Sequence, residues 1–213
     1  MKTLQRYLTK AGHPARRDGE FGPRTRRALE AAESELELHA DGVATRREQR
    51  IIRRAVASPG TGGATYVPPP PTGVVVPGAK GRVTSDGFAI PPSSAPRAVK
   101  RVVAAGNKIA KTPYKWGGGH GSWDDSGYDC SGSVSYALHG GGLLDSPLVS
   151  GDLAHWGASG RGSWITIYAN ASHVYMVVAG MRFDTSARSR TGSRWTSEMR
   201  GSDGFAVRHP RGL

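Results

Sequence analysis

Cysteine is almost absent from this chain: Cys130 is the single thiol among 213 residues. One thiol forms no internal disulfide and no thiolate-rich metal site. It is a packed small residue, an intermolecular link or a nucleophile. Long apolar runs are missing too. No stretch approaches the ~18 residues needed to cross a bilayer. The opening Met1-Lys2-Thr3-Leu4-Gln5-Arg6 has no apolar segment behind its charges, so no signal peptide is expected. Metal-ligand spacing of the HExxH kind is also lacking, which argues against a metal at His120, Asp124 and Asp125. No Lys-Ser/Thr pair follows Gly117-Gly118-Gly119, which argues against a phosphate loop; these glycines instead let backbone pass close to a site. Acidic residues are scarce, 17 against 29 Lys and Arg, for a net charge of +12. The excess is +5 over residues 1–57, +1 over 58–96 and +6 over 97–213, so it is not one basic arm. Such a chain is drawn to polyanions: nucleic acid, anionic lipid or an acidic cell wall. No recognition helix is evident, and nucleic acid is not the expected partner.

Three segments are present. Residues 1–57 read as three helices. Leu4, Tyr7 and Leu8 have helical spacing, Pro23 suits the first turn of a second helix, and Thr45-Arg46-Arg47-Glu48 has capping-box spacing before Ile51, Ile52, Ala55 and Val56. Residues 58–96, with Pro68-Pro69-Pro70-Pro71, read as a linker, in which Val74-Val75-Val76 can pair weakly with a sheet. Residues 97–213 read as two helices and then strands. One helix runs through Val99, Val102, Val103 and Ile109, and the other from Cys130 to Gly140-Gly141-Gly142. Strands follow at 164–168, 173–178, 181–185 and 204–208, which gives an α+β fold.

Cys130 opens the second of these helices, where unpaired backbone N–H groups favour a thiolate. A cysteine nucleophile needs a base, and the base needs a third group to orient it. Of seven histidines, His13 and His39 fall in the helical segment, His120 and His139 flank Cys130, His155 lies in a loop and His209 is near the C-terminus. His173 opens an apolar strand. Following that strand through the turn at Gly180 brings Asp184 beside it as a cross-strand neighbour.

Tyr114-Lys115-Trp116-Gly117-Gly118, followed by Gly127-Tyr128-Asp129-Cys130-Ser131-Gly132-Ser133-Val134, resembles the nucleophile signature of the NlpC-like cell-wall cysteine peptidases. Ser172-His173-Val174 resembles the strand that carries that family's histidine. The resemblance spans residues 97–213. It implies a papain-like antiparallel sheet with the nucleophile helix packed on it, and attack on a peptidoglycan stem peptide between D-glutamate and a diamino acid. Carried over, Cys130 is the nucleophile and His173 the base. Tyr114 stabilises the oxyanion or orients substrate, and Asp129, Ser131 and Trp116 line the pocket. The Cys130 N–H is a further oxyanion donor. The family's third group is His, Asn or Gln, somewhat further along. Here Asp184 takes that place, with Thr185 or a carbonyl as alternatives.

Leu4-Gln5 through Leu8, Gly12, Asp18-Gly19-Glu20-Phe21-Gly22-Pro23-Arg24-Thr25, Ala28-Leu29 and Asp41-Gly42-Val43-Ala44-Thr45 resemble the three-helix peptidoglycan-binding domain. Gly19 and Gly22 read as turn residues and Phe21 as a core staple. Together the readings predict a monomeric peptidoglycan hydrolase without cofactor or metal, held near anionic wall polymers. It would reach the wall from a phage or by another export route. The alternatives are a wall-binding protein with a degenerate peptidase domain, or an amidase or acyltransferase on the same scaffold.

Overall fold

The computed structural model describes residues 1–36, 38, 41–57 and 73–213. His39 and the polyproline run at 68–71 lie outside the described residues. The chain divides into two compact units, 1–63 and 64–213.

The first unit holds α1 (Lys2–Lys10), α2 (Pro23–Glu35) and α3 (Arg46–Ala57). Leu4 and Leu8 from α1, Ala28, Leu29 and Ala32 from α2, and Ile52 from α3 form one core. The capping box closes as the sequence predicts. Glu48 N donates to Thr45 Oγ1 at 3.2 Å, and Thr45 N donates back to Glu48 Oε2 at 2.9 Å. Phe21 is a correction: it is 42% exposed and belongs to no core. Buried Gln5 fastens its loop instead, donating to Asp18 Oδ1, Glu20 O and Thr25 Oγ1 and accepting from Gly19 N.

The second unit mixes helices with a sheet. Short β1 (Arg82–Val83) and β2 (Ala89–Ile90) pair with each other, followed by α4 (Arg97–Ile109), α5 (Cys130–Gly140) and α6 (Ser150–Leu153). Then come β3 (Ala158–Ser159), β4 (Ile165–Ala169), β5 (Val174–Val178), β6 (Met181–Phe183), α7 (Thr185–Thr191), β7 (Trp195–Thr196) and β8 (Ala206–His209). The six-stranded sheet has the order β3-β8-β4-β5-β6-β7, antiparallel throughout. Val99, Val102, Val134, Leu138, Ile165, Ile167, Met176 and Phe183 are all buried in the core between α4, α5 and the sheet.

The linker expected over 58–96 is shorter than that among the described residues. Asn107, buried in α4, both donates to and accepts from the backbone of Ala89. Gly81 N donates to Ala179 O at 2.9 Å, and Val76 forms a bridge with Pro92. Proline and glycine hid this segment, because its two strands are only two residues long and pair with each other, and backbone contacts to Asn107 and Ala179 hold them to the unit.

Candidate active site

Helix α5 begins at Cys130 because Asp129 caps it. Asp129 is extended (φ −78°, ψ −175°), and its Oδ1 accepts from Gly132 N at 2.7 Å. Its other oxygen accepts from Gly117 N at 3.0 Å, which draws the glycine loop onto the helix start. The backbones then approach so closely that a Cβ on Gly118 would overlap the Gly127 carbonyl. Cys130 is half-buried against the core, on a helix that packs on β5. Tyr114 is half-buried on the same loop, and Trp116 is 49% exposed. Ser131 is buried, and His120 joins this group: its Nε2 lies 3.1 Å from both Asp129 Oδ1 and Ser131 Oγ. The bond to Asp129 raises the His120 pKa against the opposing effect of burial. His120 was legible only as a histidine flanking Cys130 in the chain.

His173 is positioned one residue before β5. Asn170 Oδ1 accepts from the Ser172 and His173 amides, at 2.9 Å each, which fixes the turn. His173 Nε2 lies 3.0 Å from Asp184 Oδ1, with both residues buried. The two are diagonal rather than directly opposed: β5–β6 pairs Met176 with Phe183 and Val177 with Arg182, so the same register sets Asp184 across from Tyr175. Asp184 is also not a strand residue. It caps α7, a helix the sequence reading missed, by accepting from Ser186 N at 2.9 Å. Thr185 Oγ1 is buried without a hydrogen-bond partner, so Asp184 is the neighbour that meets the imidazole.

The second carboxylate oxygen of Asp184 faces two arginines, Arg200 Nη1 at 3.2 Å and Arg182 Nε at 3.6 Å. Burial alone would push the Asp184 pKa up. The His173 and arginine interactions outweigh it and hold the carboxyl well below the usual carboxylate range. An ionised carboxylate only accepts, so His173 Nε2 carries a proton and donates it to Asp184. Arg200 also lies over the rings of Tyr175 and Phe205, which flank His173.

Arg194 is the residue that sequence reasoning passed over. Fully buried, it donates to Ile109 O and Thr112 O at 2.6 Å, to Tyr128 O at 2.9 Å, to Pro113 O at 3.4 Å and to Ser133 Oγ at 2.8 Å. Its carbonyl accepts from Asp184 N at 2.9 Å. One residue therefore joins the segment before Tyr114, the segment before Cys130 and the backbone of Asp184. Nothing in the sequence separates it from the other arginines.

In the first unit, Glu33 is buried at α2 and accepts from Gly42 N at 3.0 Å. Gly42 has φ +70°, which suits the Asp41-Gly42 turn. Gln5 and Gly42 thus anchor the two connections between the helices.

Residues 1–51 match the family model of a putative peptidoglycan binding domain. This peptidoglycan-binding domain supports a cell-wall-associated function for the chain, with peptidoglycan as the partner. No curated protein and no solved structure matches the chain. Among the described residues, no helix is long and apolar enough to cross a membrane.

Proposed function

We propose that the chain is a peptidoglycan hydrolase that grips the wall through its N-terminal domain and cleaves stem peptides with Cys130. The observation that carries the reading is the buried Asp184, held between His173 and two arginines. Burying an ionised carboxylate is costly, and its use here is to fix one tautomer of a histidine that leads into the strand under the Cys130 helix. A papain-like arrangement is supported by that nucleophile helix lying on an antiparallel sheet.

In this mechanism His173 Nδ1 takes the Cys130 proton, and the thiolate attacks the scissile carbonyl carbon. The Cys130 N–H and the Tyr114 hydroxyl stabilise the resulting oxyanion. Collapse breaks the C–N bond, and the imidazolium returns its proton to the leaving amine. Water, deprotonated by the same nitrogen, then hydrolyses the thioester and regenerates the thiol. Asp129, Ser131, His120 and Trp116 border the peptide. The D-glutamyl–diamino acid bond is the proposed target.

Zymography on purified walls, with mass spectrometry of the released fragments, tests this reading. Cys130→Ser is expected to lower clearing by at least about a thousandfold, and new glutamate and diamino-acid termini are expected from wild type. Equal clearing by both proteins sinks the proposal.

A further inference from the structure

The first unit carries a groove of about 420 Å³ lined by Lys2, Thr3, Arg6 and Arg17. Among the described residues, three of its four lining side chains are cations and none is a carboxylate. Lys2 and Arg6 are exposed and stand four residues apart on α1, on the side away from buried Leu4 and Leu8. Like charges at this spacing disfavour a helix. The fold adds Arg17 to them. Buried Gln5 ties the 18–20 loop to α1 through Asp18, Gly19 and Glu20, which fixes where the neighbouring Arg17 emerges. The Lys2 stem lies over Gly19, where a Cβ would come within 3.3 Å of Lys2 Cε at a φ of +89°.

Asp18 follows Arg17 directly in the chain, and it is already engaged. Its Oδ1 accepts from Glu20 N at 2.9 Å and from Gln5 Nε2 at 2.7 Å, and its Oδ2 lies 3.8 Å from Arg16 Nε. The bond from the Glu20 amide, then that from Gln5, lowers its pKa, so it stays ionised and faces its own loop. The groove therefore presents positive charge beside a carboxylate that is engaged with its own loop.

We propose that this groove is an anion site for a phosphodiester-linked polymer of the cell wall, distinct from recognition of the peptidoglycan strand itself. Arg6 and Arg17 offer planar forks that match phosphate oxygens, Lys2 adds a point charge and Thr3 a neutral hydroxyl. The lack of a carboxylate among the described lining residues favours one class of ligand over another. A stem peptide carrying a free diamino-acid amine is zwitterionic and finds no partner here for that amine. A phosphodiester chain is anionic at every repeat and complements the three cations of the lining.

The test measures binding of the full chain, carrying Cys130→Ala so that nothing is digested. Targets are purified walls, the same walls stripped of phosphodiester polymer by acid, and soluble poly(glycerol phosphate). Lys2→Gln/Arg6→Gln/Arg17→Gln is compared with Arg47→Gln/Arg50→Gln/Arg53→Gln, which removes three exposed cations from α3. The groove variant is expected to lose about tenfold or more in affinity for untreated walls and for the soluble polymer. It is expected to bind stripped walls as wild type does, and the α3 variant to stay within about twofold throughout. Equal losses in the two variants would reduce the groove to net charge. An equal loss on stripped walls would assign it to peptidoglycan carboxylates, and no loss would remove it; each result overturns the proposal. Arg17→Gln alone, which leaves α1 untouched, gives the same reading if the triple variant melts early. No step requires a competent Cys130, so failure of the peptidase reading leaves this result standing.

Discussion

Arg194 is fully buried, so the backbone carbonyls around it act as its solvation shell. Hydrogen bonds to a charged group contribute roughly 1.5–3 kcal/mol each. Lysine keeps the charge but cannot span donors that reach residues 109, 112, 128 and 133 at once. Arg194→Lys is therefore expected to lower stability by about 2–4 kcal/mol and to slow alkylation of Cys130 by iodoacetamide, measured well below the melting point. On the proposed function, its kcat should fall about tenfold or more with KM within about threefold. A drop in melting temperature alone would make the residue purely structural. Cys130, His173 and Asp184 were legible as residues because their chemistry narrows their uses. Arg194 was not, because an arginine that binds carbonyls leaves no spacing rule behind. The diagonal meeting of His173 with Asp184 was equally hidden, since a register is set by strand pairing and not by a count along the chain.

Among the elements, α2 carries a titration of its own. Burial raises the Glu33 pKa from 4.5 to about 7, against the opposing bond from Gly42. The folded state thus holds a proton that the unfolded chain releases. Stability conferred by the neutral acid is complete below about pH 4.5, falls as pH rises to about 7, and is level above that. Glu33→Gln keeps an acceptor for Gly42 and removes the titration. The stability difference between pH 5 and pH 8 should shrink by an amount on the order of 2 kcal/mol, read from urea melts of variant and wild type. His120, its pKa raised by Asp129, changes stability in the same direction but equally in both proteins. An unchanged pH slope would mean that Glu33 is already ionised in the fold. Elements with strong local signals were readable: the Thr45 box marks α3 almost to the residue, and α5 starts at Cys130 as expected. Helix α7 was not, because Asp184-Thr185 continues a strand pattern until the cap turns the chain.

For the whole molecule, each unit has its own core and its own chemistry. On the proposed function, tethering matters only when the substrate is a polymer that the first unit can hold. Removing residues 1–63 is expected to leave cleavage of a soluble stem peptide within about twofold and to slow digestion of intact walls about tenfold or more. If turnover on walls is unchanged, the first unit contributes nothing to catalysis. The two-part organisation was legible because composition changes abruptly at the proline-rich stretch. The return of residues 73–96 to the second unit was not, since Asn107 recognises backbone at Ala89 rather than any side chain there.

The solitary thiol has a consequence for how long the molecule can work in air. A sulfenic acid formed at Cys130 finds no second cysteine in the chain to condense with. It must therefore meet an external thiol or advance to the sulfinic acid, from which it does not return unaided. Peroxide would act on this protein as an irreversible timer unless a small thiol is present to cap and release the sulfur.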